Sequence, residues 1–103
     1  MHARVSTYTG EADGLLDGFQ SATAPLEEME GFSKAYFLLD RANKKAISIT
    51  IWESEDGLLA SAARADEIRK GAVAPSGATI DSVEQYEIAL TASGKKTAVG
   101  LNI

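Results

Sequence analysis

The stretch AISITIW at positions 46–52 constrains the fold more than any other part of the sequence. Its residues alternate strictly, and a period of two places successive side chains on opposite faces of a β-strand. One face of this strand carries three isoleucines, and the other carries two hydroxyls and the only tryptophan of the chain. Because large apolar side chains lie on both faces, we expect both faces of the sheet to be covered.

Alternation and helical spacing predict five further elements around this strand. Strands are predicted at positions 2–8, 32–40 and 79–90, and helices from Glu11 to Pro25 and from Ser54, as N-cap, to Gly71. In the last strand, Ile80 and Tyr86 are predicted to share a face. RANKK at 41–45 is typical of a hairpin turn, with Asn43 as the residue expected to take a positive φ, and 71–78 is predicted to be a loop.

The resulting order, β-α-β-β-α-β, is that of a ferredoxin-like α+β domain with a four-stranded antiparallel sheet. Two helices cover only one face of such a sheet, so a second copy of the chain is the expected cover for the isoleucine face. Residues 1–90 are predicted to form a single domain. The tail at 91–103 is predicted to be either an added strand or a loosely attached terminus.

The composition excludes several kinds of function. The chain has no cysteine, which excludes disulfides and thiolate catalysis, and it has no cluster of metal-ligand residues. Its net charge is -5 and its ten basic residues are scattered, which disfavours nucleic-acid binding. No apolar run approaches the roughly 18 residues of a membrane span, and a cytoplasmic location is expected.

The segment LLDRANKKAISITIWESEDGLLAS, with Gly31-Phe32 before it and VEQYEIAL after it, resembles the antibiotic biosynthesis monooxygenase-like family. The likeness spans about residues 3–90. It implies a homodimer whose two sheets form an α+β barrel, with a small hydrophobic cavity between each sheet and its helices. Some members oxygenate phenolic or quinol-like substrates without a metal or an organic cofactor, others degrade haem, and many have no known activity.

The resemblance also implies roles for single residues. Trp52 stands where the cofactor-free oxygenases have a tryptophan lining the cavity. Ser48 replaces a substrate-binding asparagine of those enzymes, and Leu58 replaces a tyrosine that some of them have. The haem-degrading members use a histidine on or after the second helix, whereas the only histidine here is His2, which disfavours haem chemistry.

The residues themselves lead to a similar candidate site. Ser48, Thr50 and Trp52 share one strand face, so two hydroxyls and an indole N–H converge there. Together with Leu58 they are the predicted substrate-binding residues; the alternative is that Trp52 only fills the core. Tyr36 and Tyr86 are the candidate catalytic proton acceptors, or strand packing residues.

Arg4 either steadies an anionic substrate or forms a surface ion pair. Two functions therefore fit the sequence. The first is a homodimer that binds a small hydrophobic or aromatic molecule and acts as a cofactor-independent monooxygenase on phenolic or quinol-like substrates. The second is a non-catalytic ligand-binding or interaction protein of the same fold with a degenerate site. Both need a cavity that admits at least one aromatic ring.

Overall fold

The chain folds into four strands and three α-helices, described for residues 1–95 by a computed structural model. The strands form one antiparallel sheet in the order β2-β3-β1-β4, and the helices pack on one of its faces. The predicted ferredoxin-like βαββαβ arrangement is therefore confirmed. The elements are β1 (His2–Thr9), α1 (Ala12–Glu27), β2 (Phe32–Asp40), β3 (Lys45–Trp52), α2 (Glu55–Ala60), α3 (Ala62–Val73) and β4 (Thr79–Glu87).

The second predicted helix is interrupted at Ser61, which separates α2 from α3. Ser54 caps α2 as predicted, since its hydroxyl accepts a hydrogen bond from the backbone N–H of Gly57 at 3.0 Å. The loop predicted at 71–78 is wrong for residues 71–76. There α3 runs to Val73 and a 3-10 turn continues to Ser76 before the chain reverses at Gly77, whose φ is 72°.

The β2–β3 hairpin turns differently from the prediction. Lys44, and not Asn43, has the positive φ, at 54°. The backbone N–H and the side-chain amide of Asn43 both donate to the carboxylate of Asp40, which fixes Asn43 in the ordinary part of the turn. The left-handed residue is therefore the next one along the chain.

The two faces of the sheet have different surroundings. Residues that pair across antiparallel strands point to the same face, and Ile49 pairs with Val5 on one side and Tyr36 on the other. No helix covers that face in the described part of the chain, and we call it the open face. It comprises Ala3, Val5, Thr7, Lys34, Tyr36, Leu38, Ile47, Ile49, Ile51, Ser82, Glu84 and Tyr86.

A β-bulge changes the phase of β4. Thr7 pairs with Ser82 but Tyr8 pairs with Ile80, so Asp81 is an extra residue. Ile80 consequently lies on the helix-covered face with Tyr8, whereas Tyr86 lies on the open face opposite Ala3. The prediction that Ile80 and Tyr86 share a face was wrong for this reason.

Strand β4 ends at Glu87, three residues before its predicted end, although the N–H of Ile88 still donates to the carbonyl oxygen of Met1 at 2.9 Å. Residues 91–95 have no regular secondary structure. The remainder of the predicted tail strand lies outside the described residues, so that strand stays a prediction.

The core lies between the sheet and the helices. On α1 the buried side chains Leu15, Phe19, Ala22 and Leu26 recur at helical spacing. Gly18 lies on the same helix where α1 approaches α3, and a Cβ there would overlap the carbonyl oxygen of Ala72. Glycine therefore sets the distance between the two helices. Within residues 1–95, no helix is long and apolar enough to cross a membrane.

Candidate small-molecule site

A small cavity lies between the helix-covered face of the sheet and helices α1 and α3. Its volume is about 30 Å³. A water molecule needs roughly 10–15 Å³ of such space, whereas a cavity that binds benzene measures roughly 150 Å³. The cavity as it stands therefore holds one or two waters and no aromatic ring. It is lined by Arg4, Ser6, Tyr8, Phe19, Ala22, Leu26, Phe37, Ser48, Thr50, Ala65, Ile68, Arg69 and Ala72.

The floor of the cavity is a row of hydroxyl groups on β1 and β3. The Tyr8 hydroxyl and the Ser48 Oγ form a hydrogen bond of 2.8 Å. Thr50 Oγ1 accepts a hydrogen bond of 3.0 Å from the indole Nε1–H of Trp52. Ser6 of β1 lies on the same face, pairs with Ser48 of β3 and is fully buried. These hydroxyls can reorient to donate or accept, as a polar group on a ligand would require.

Arg4 places a charged guanidinium beside these hydroxyls and is only 3% exposed. Its Nη2 donates to the carbonyl oxygen of Leu58 at 2.8 Å, and its Nη1 donates to Ser61 Oγ at 3.2 Å. No carboxylate among residues 1–95 forms a salt bridge with it. The surface ion pair that the sequence left open is therefore not formed in the described part of the chain.

A second arginine lines the cavity from α3. Arg69 is 8% exposed, and its Nη1 lies 3.2 Å from Oδ1 of Asp66, a carboxylate that it shares with Lys70 of the same helix. Burial lowers the pKa of Arg4, and the positive charge of Arg69 lowers it further. Arginine nevertheless keeps its proton in proteins. The cavity therefore combines two cations with a single acidic partner.

Trp52 and Leu58 lie beside the cavity and do not line it. Trp52 is fully buried, packs with Leu58, Ala22 and Leu26, and meets the ring of Phe32 edge-on at 5.5 Å. Its indole N–H is used by Thr50. Of the four predicted substrate-binding residues, the structure thus brings Ser48 and Thr50 to the cavity and places the other two in the core behind it.

Tyr36 and Tyr86, the candidate catalytic residues, lie on the open face and are about half exposed. The sheet separates them from the cavity. Glu84 raises the pKa of Tyr86, first through a hydrogen bond to the hydroxyl and then through its charge, so Tyr86 stays protonated at neutral pH. The geometry gives neither tyrosine a place in proton transfer within the cavity. Tyr8, which shares the phase of Arg4 and Ser6, is the tyrosine that reaches it.

His2 lines a separate groove of about 520 Å³ with Glu55, Gln85 and Glu87. Helices α2 and α3 contain no histidine. The histidine that the family resemblance implies as the ligand of haem iron is therefore missing from these helices. The cavity of about 30 Å³ is also too small for a haem.

Two apolar side chains separate the cavity from a larger groove. Leu26 of α1 and Phe37 of β2 line both the cavity and a surface groove of about 410 Å³ at the β2 edge of the sheet. The Phe37 ring stacks on Phe19, with centroids 4.9 Å apart. Rotation of Phe37 away from Phe19 would join the two spaces, and the combined volume lies within the range of small-molecule pockets.

Solved structures match the chain in fold. SnoaB, a cofactor-independent oxygenase from Streptomyces nogalater, superimposes with a TM-score of 0.69 at 18% identity, over 87% of this chain and 94% of SnoaB. MhuD, a heme-degrader from Mycobacterium tuberculosis with two hemes bound in its active site, gives 0.69 at 21% identity, over 90% and 100%. A candidate antibiotic biosynthesis monooxygenase from Deinococcus radiodurans gives 0.66 at 12% identity, over 92% and 99%.

No protein-family model matches the chain, and a search of curated proteins found no match. At identities of 12–21% the matches establish a shared fold. The predicted resemblance to antibiotic biosynthesis monooxygenase-like proteins is confirmed at that level. An oxygenase and a heme-degrader share this fold, so the fold alone does not decide the function of this chain.

Proposed function

We propose that this chain, which has the fold of antibiotic biosynthesis monooxygenase-like proteins, is a homodimer that binds a phenolic or quinol-like aromatic molecule beneath its helices. The observation that carries the proposal is the polar floor of the chamber. Hydroxyls of Tyr8, Ser48 and Thr50 and the guanidinium of Arg4 converge on one side, while α1 and α3 supply walls that are apolar except for Arg69. A planar ligand with one oxygen at its edge suits that arrangement.

The ligand is expected to enter past Phe37 and Leu26. The closed cavity is too small for a ring, whereas the adjoining groove offers about 410 Å³. Two of the four buried positions of α3 are alanines, Ala65 and Ala72, whose small side chains bury little apolar area. Binding would thus open the chamber from the β2 side.

A second copy of the chain is the proposed cover of the open face. Ile47, Ile49 and Ile51 form its centre, and Tyr36 and Leu38 beside them are about half exposed. An apolar patch of this kind is unusual on a monomer. A twofold axis that lies between two such sheets would let each copy cover the other with the same residues. The cytoplasmic location expected from the sequence belongs to the same proposal.

If the bound molecule is turned over, its own electrons suffice for the reaction with oxygen. A deprotonated phenol or anthrone can pass an electron to O₂, and the protein then has to bind it, favour the anion and exclude water. For an anthrone, one O₂ is consumed, one oxygen atom becomes the new ring carbonyl and the other leaves as water. Ser48 and Thr50 would hold the substrate oxygen beside Arg4, and the substrate would lose its proton to the solvent before it is enclosed.

A non-catalytic ligand-binding protein of the same fold is the second candidate. Two observations favour it: Ser48 stands in place of the asparagine of the resembled oxygenases, and Leu58 stands in place of a tyrosine. The two candidates share the binding site and differ only in turnover. Oxygen consumption therefore distinguishes them.

Under metal-free conditions with a chelator, we expect the protein to speed oxygen uptake by an anthrone above the protein-free rate. The Ser48→Asn variant is expected to raise that rate by about tenfold, since a fixed amide donor aimed at the reacting oxygen is worth roughly that much or more. An oxygen electrode measures both rates.

Ile49→Val is the matched control, because residue 49 lies next to Ser48 in the sequence but points to the open face. Its rate should equal that of the wild type. Uptake at the protein-free rate in both the wild type and Ser48→Asn would reject the oxygenase and leave the binding protein as the function.

A further inference from the structure

We infer that the chamber receives its ligand as an anion, with a phenolate oxygen of the ligand at the guanidinium of Arg4. The inference rests on the proposed function and adds the charge state of the ligand to it. In this inference Arg4 binds the charged oxygen of the ligand directly, and Arg69 adds a second, weaker positive potential. Both line the cavity.

The charge of Arg4 is the first argument. An isolated charge is costly to bury, and buried charges in proteins are almost always paired or bound to a ligand. Arg4 is nearly inaccessible, and no carboxylate among residues 1–95 forms a salt bridge with it. The described part of the chain thus leaves a buried positive charge that an incoming anion would balance.

The hydrogen bonds of Arg4 are the second argument. A guanidinium has five N–H donors, and two of them are used, by the Leu58 carbonyl oxygen and by Ser61 Oγ. Both acceptors are neutral. They lie at the junction of α2 and α3 and hold the guanidinium in place, with its carbon 5.8 Å from the centre of the Trp52 ring. Arg4 is therefore oriented, yet keeps donors for a further acceptor.

A purely structural role for Arg4 would be to tie down the α2–α3 junction. That junction does not depend on it alone, because Ser61 Oγ itself donates to the Leu58 carbonyl oxygen at 2.7 Å. Removing the guanidinium therefore leaves this carbonyl paired. A methionine of similar length in the same place would relieve a buried charge and keep the packing, a kind of exchange that is often neutral or stabilising.

The test uses 4-nitrophenol, because its absorption spectrum shows whether it is ionised. The buffer contains no chloride, because a small anion would compete with the phenolate for Arg4. We expect the wild type to bind the phenolate about tenfold or more tightly than the neutral phenol, since a cation at contact distance lowers the pKa of a bound phenol by about one unit or more. The spectrum of the bound ligand at a pH below its free pKa should show the phenolate.

Two variants distinguish an effect of the Arg4 charge on ligand binding from an effect of Arg4 on folding. Arg4→Met is expected to bind the two forms of 4-nitrophenol equally and to unfold at the same or a higher Tm than the wild type. Arg4→Lys is expected to keep most of the preference for the phenolate, because it keeps the charge. The preference of the wild type for the phenolate over the neutral phenol is measured without either variant. The test therefore does not depend on the folding of the variants.

The failure of the inference can be told from the failure of the proposed function. If the wild type binds 4-nitrophenol without distinguishing its two forms, or if Arg4→Met keeps the preference, the inference is wrong and the binding site remains. If the wild type binds neither 4-nitrophenol nor an anthrone in any form, the proposed function itself is wrong.

Discussion

Replacing Trp52 by alanine is expected to lower the free energy of unfolding by about 3–5 kcal/mol. The side chain is fully buried, contacts Leu58 and Phe32, and donates its indole N–H to Thr50. Its loss leaves a cavity where α1 and α2 meet the sheet. Because a domain of this size is stable by only about 5–15 kcal/mol, the variant should lose a large part of its stability.

Urea denaturation followed by circular dichroism measures this effect, since the variant has no tryptophan fluorescence. Leu59→Ala is the control, because Leu59 is next to Leu58 but is half exposed; it should change the free energy of unfolding by less than about 1 kcal/mol. The comparison is made at one protein concentration, because an oligomer gains stability with concentration. A loss below about 1 kcal/mol in Trp52→Ala would show that Trp52 is not a core residue.

Replacing Ile49 by lysine is expected to weaken the proposed dimer by a factor of about 100 or more. Ile49 lies at the centre of the open face, between Val5 and Tyr36. In a symmetric interface each copy would bury one new lysine without a partner, and an uncompensated buried charge costs about 3–5 kcal/mol. The monomer should keep its fold, because the side chain points away from the core.

Sedimentation velocity measures the mass in solution. One chain has a mass of 10.9 kDa, so the dimer has twice that, 21.8 kDa. The wild type should sediment as the dimer and Ile49→Lys as the monomer. Ala63→Lys adds the same charge to an exposed position of α3, and it should remain dimeric. A monomeric wild type, or a dimeric Ile49→Lys, would show that the open face has no second copy on it.

The faces of β1 and β3 could be predicted from the sequence because alternation is a local property. Ser48 and Thr50 were placed on one side and Ile49 on the other by counting residues, and the structure agrees. The same counting failed in β4. The extra residue at Asp81 reverses the phase of the strand, and a bulge depends on how two strands pair and not on either strand alone.

The site was predictable only in part for a related reason. Tyr36 and Tyr86 were chosen for their chemistry, but the face on which each lies is set by pairing with β3 and β1. Arg4 and Tyr8 shared the phase of Ser6, which was a usable signal, yet no local pattern tells that the charged side chain of Arg4 will be buried. Arg69 falls at helical spacing from Ala65, and this spacing was the only sign of its position.

The sheet is proposed to separate two functions, with the ligand beneath the helices and the second copy on the other side. A sample labelled with ¹³C at the isoleucine δ1 methyl groups tests this directly during titration with 4-nitrophenol. Ile68 lines the cavity, whereas Ile47, Ile49 and Ile51 lie on the open face. We expect the Ile68 methyl resonance to move and the other three to stay. Movement confined to the three open-face methyls would contradict the account.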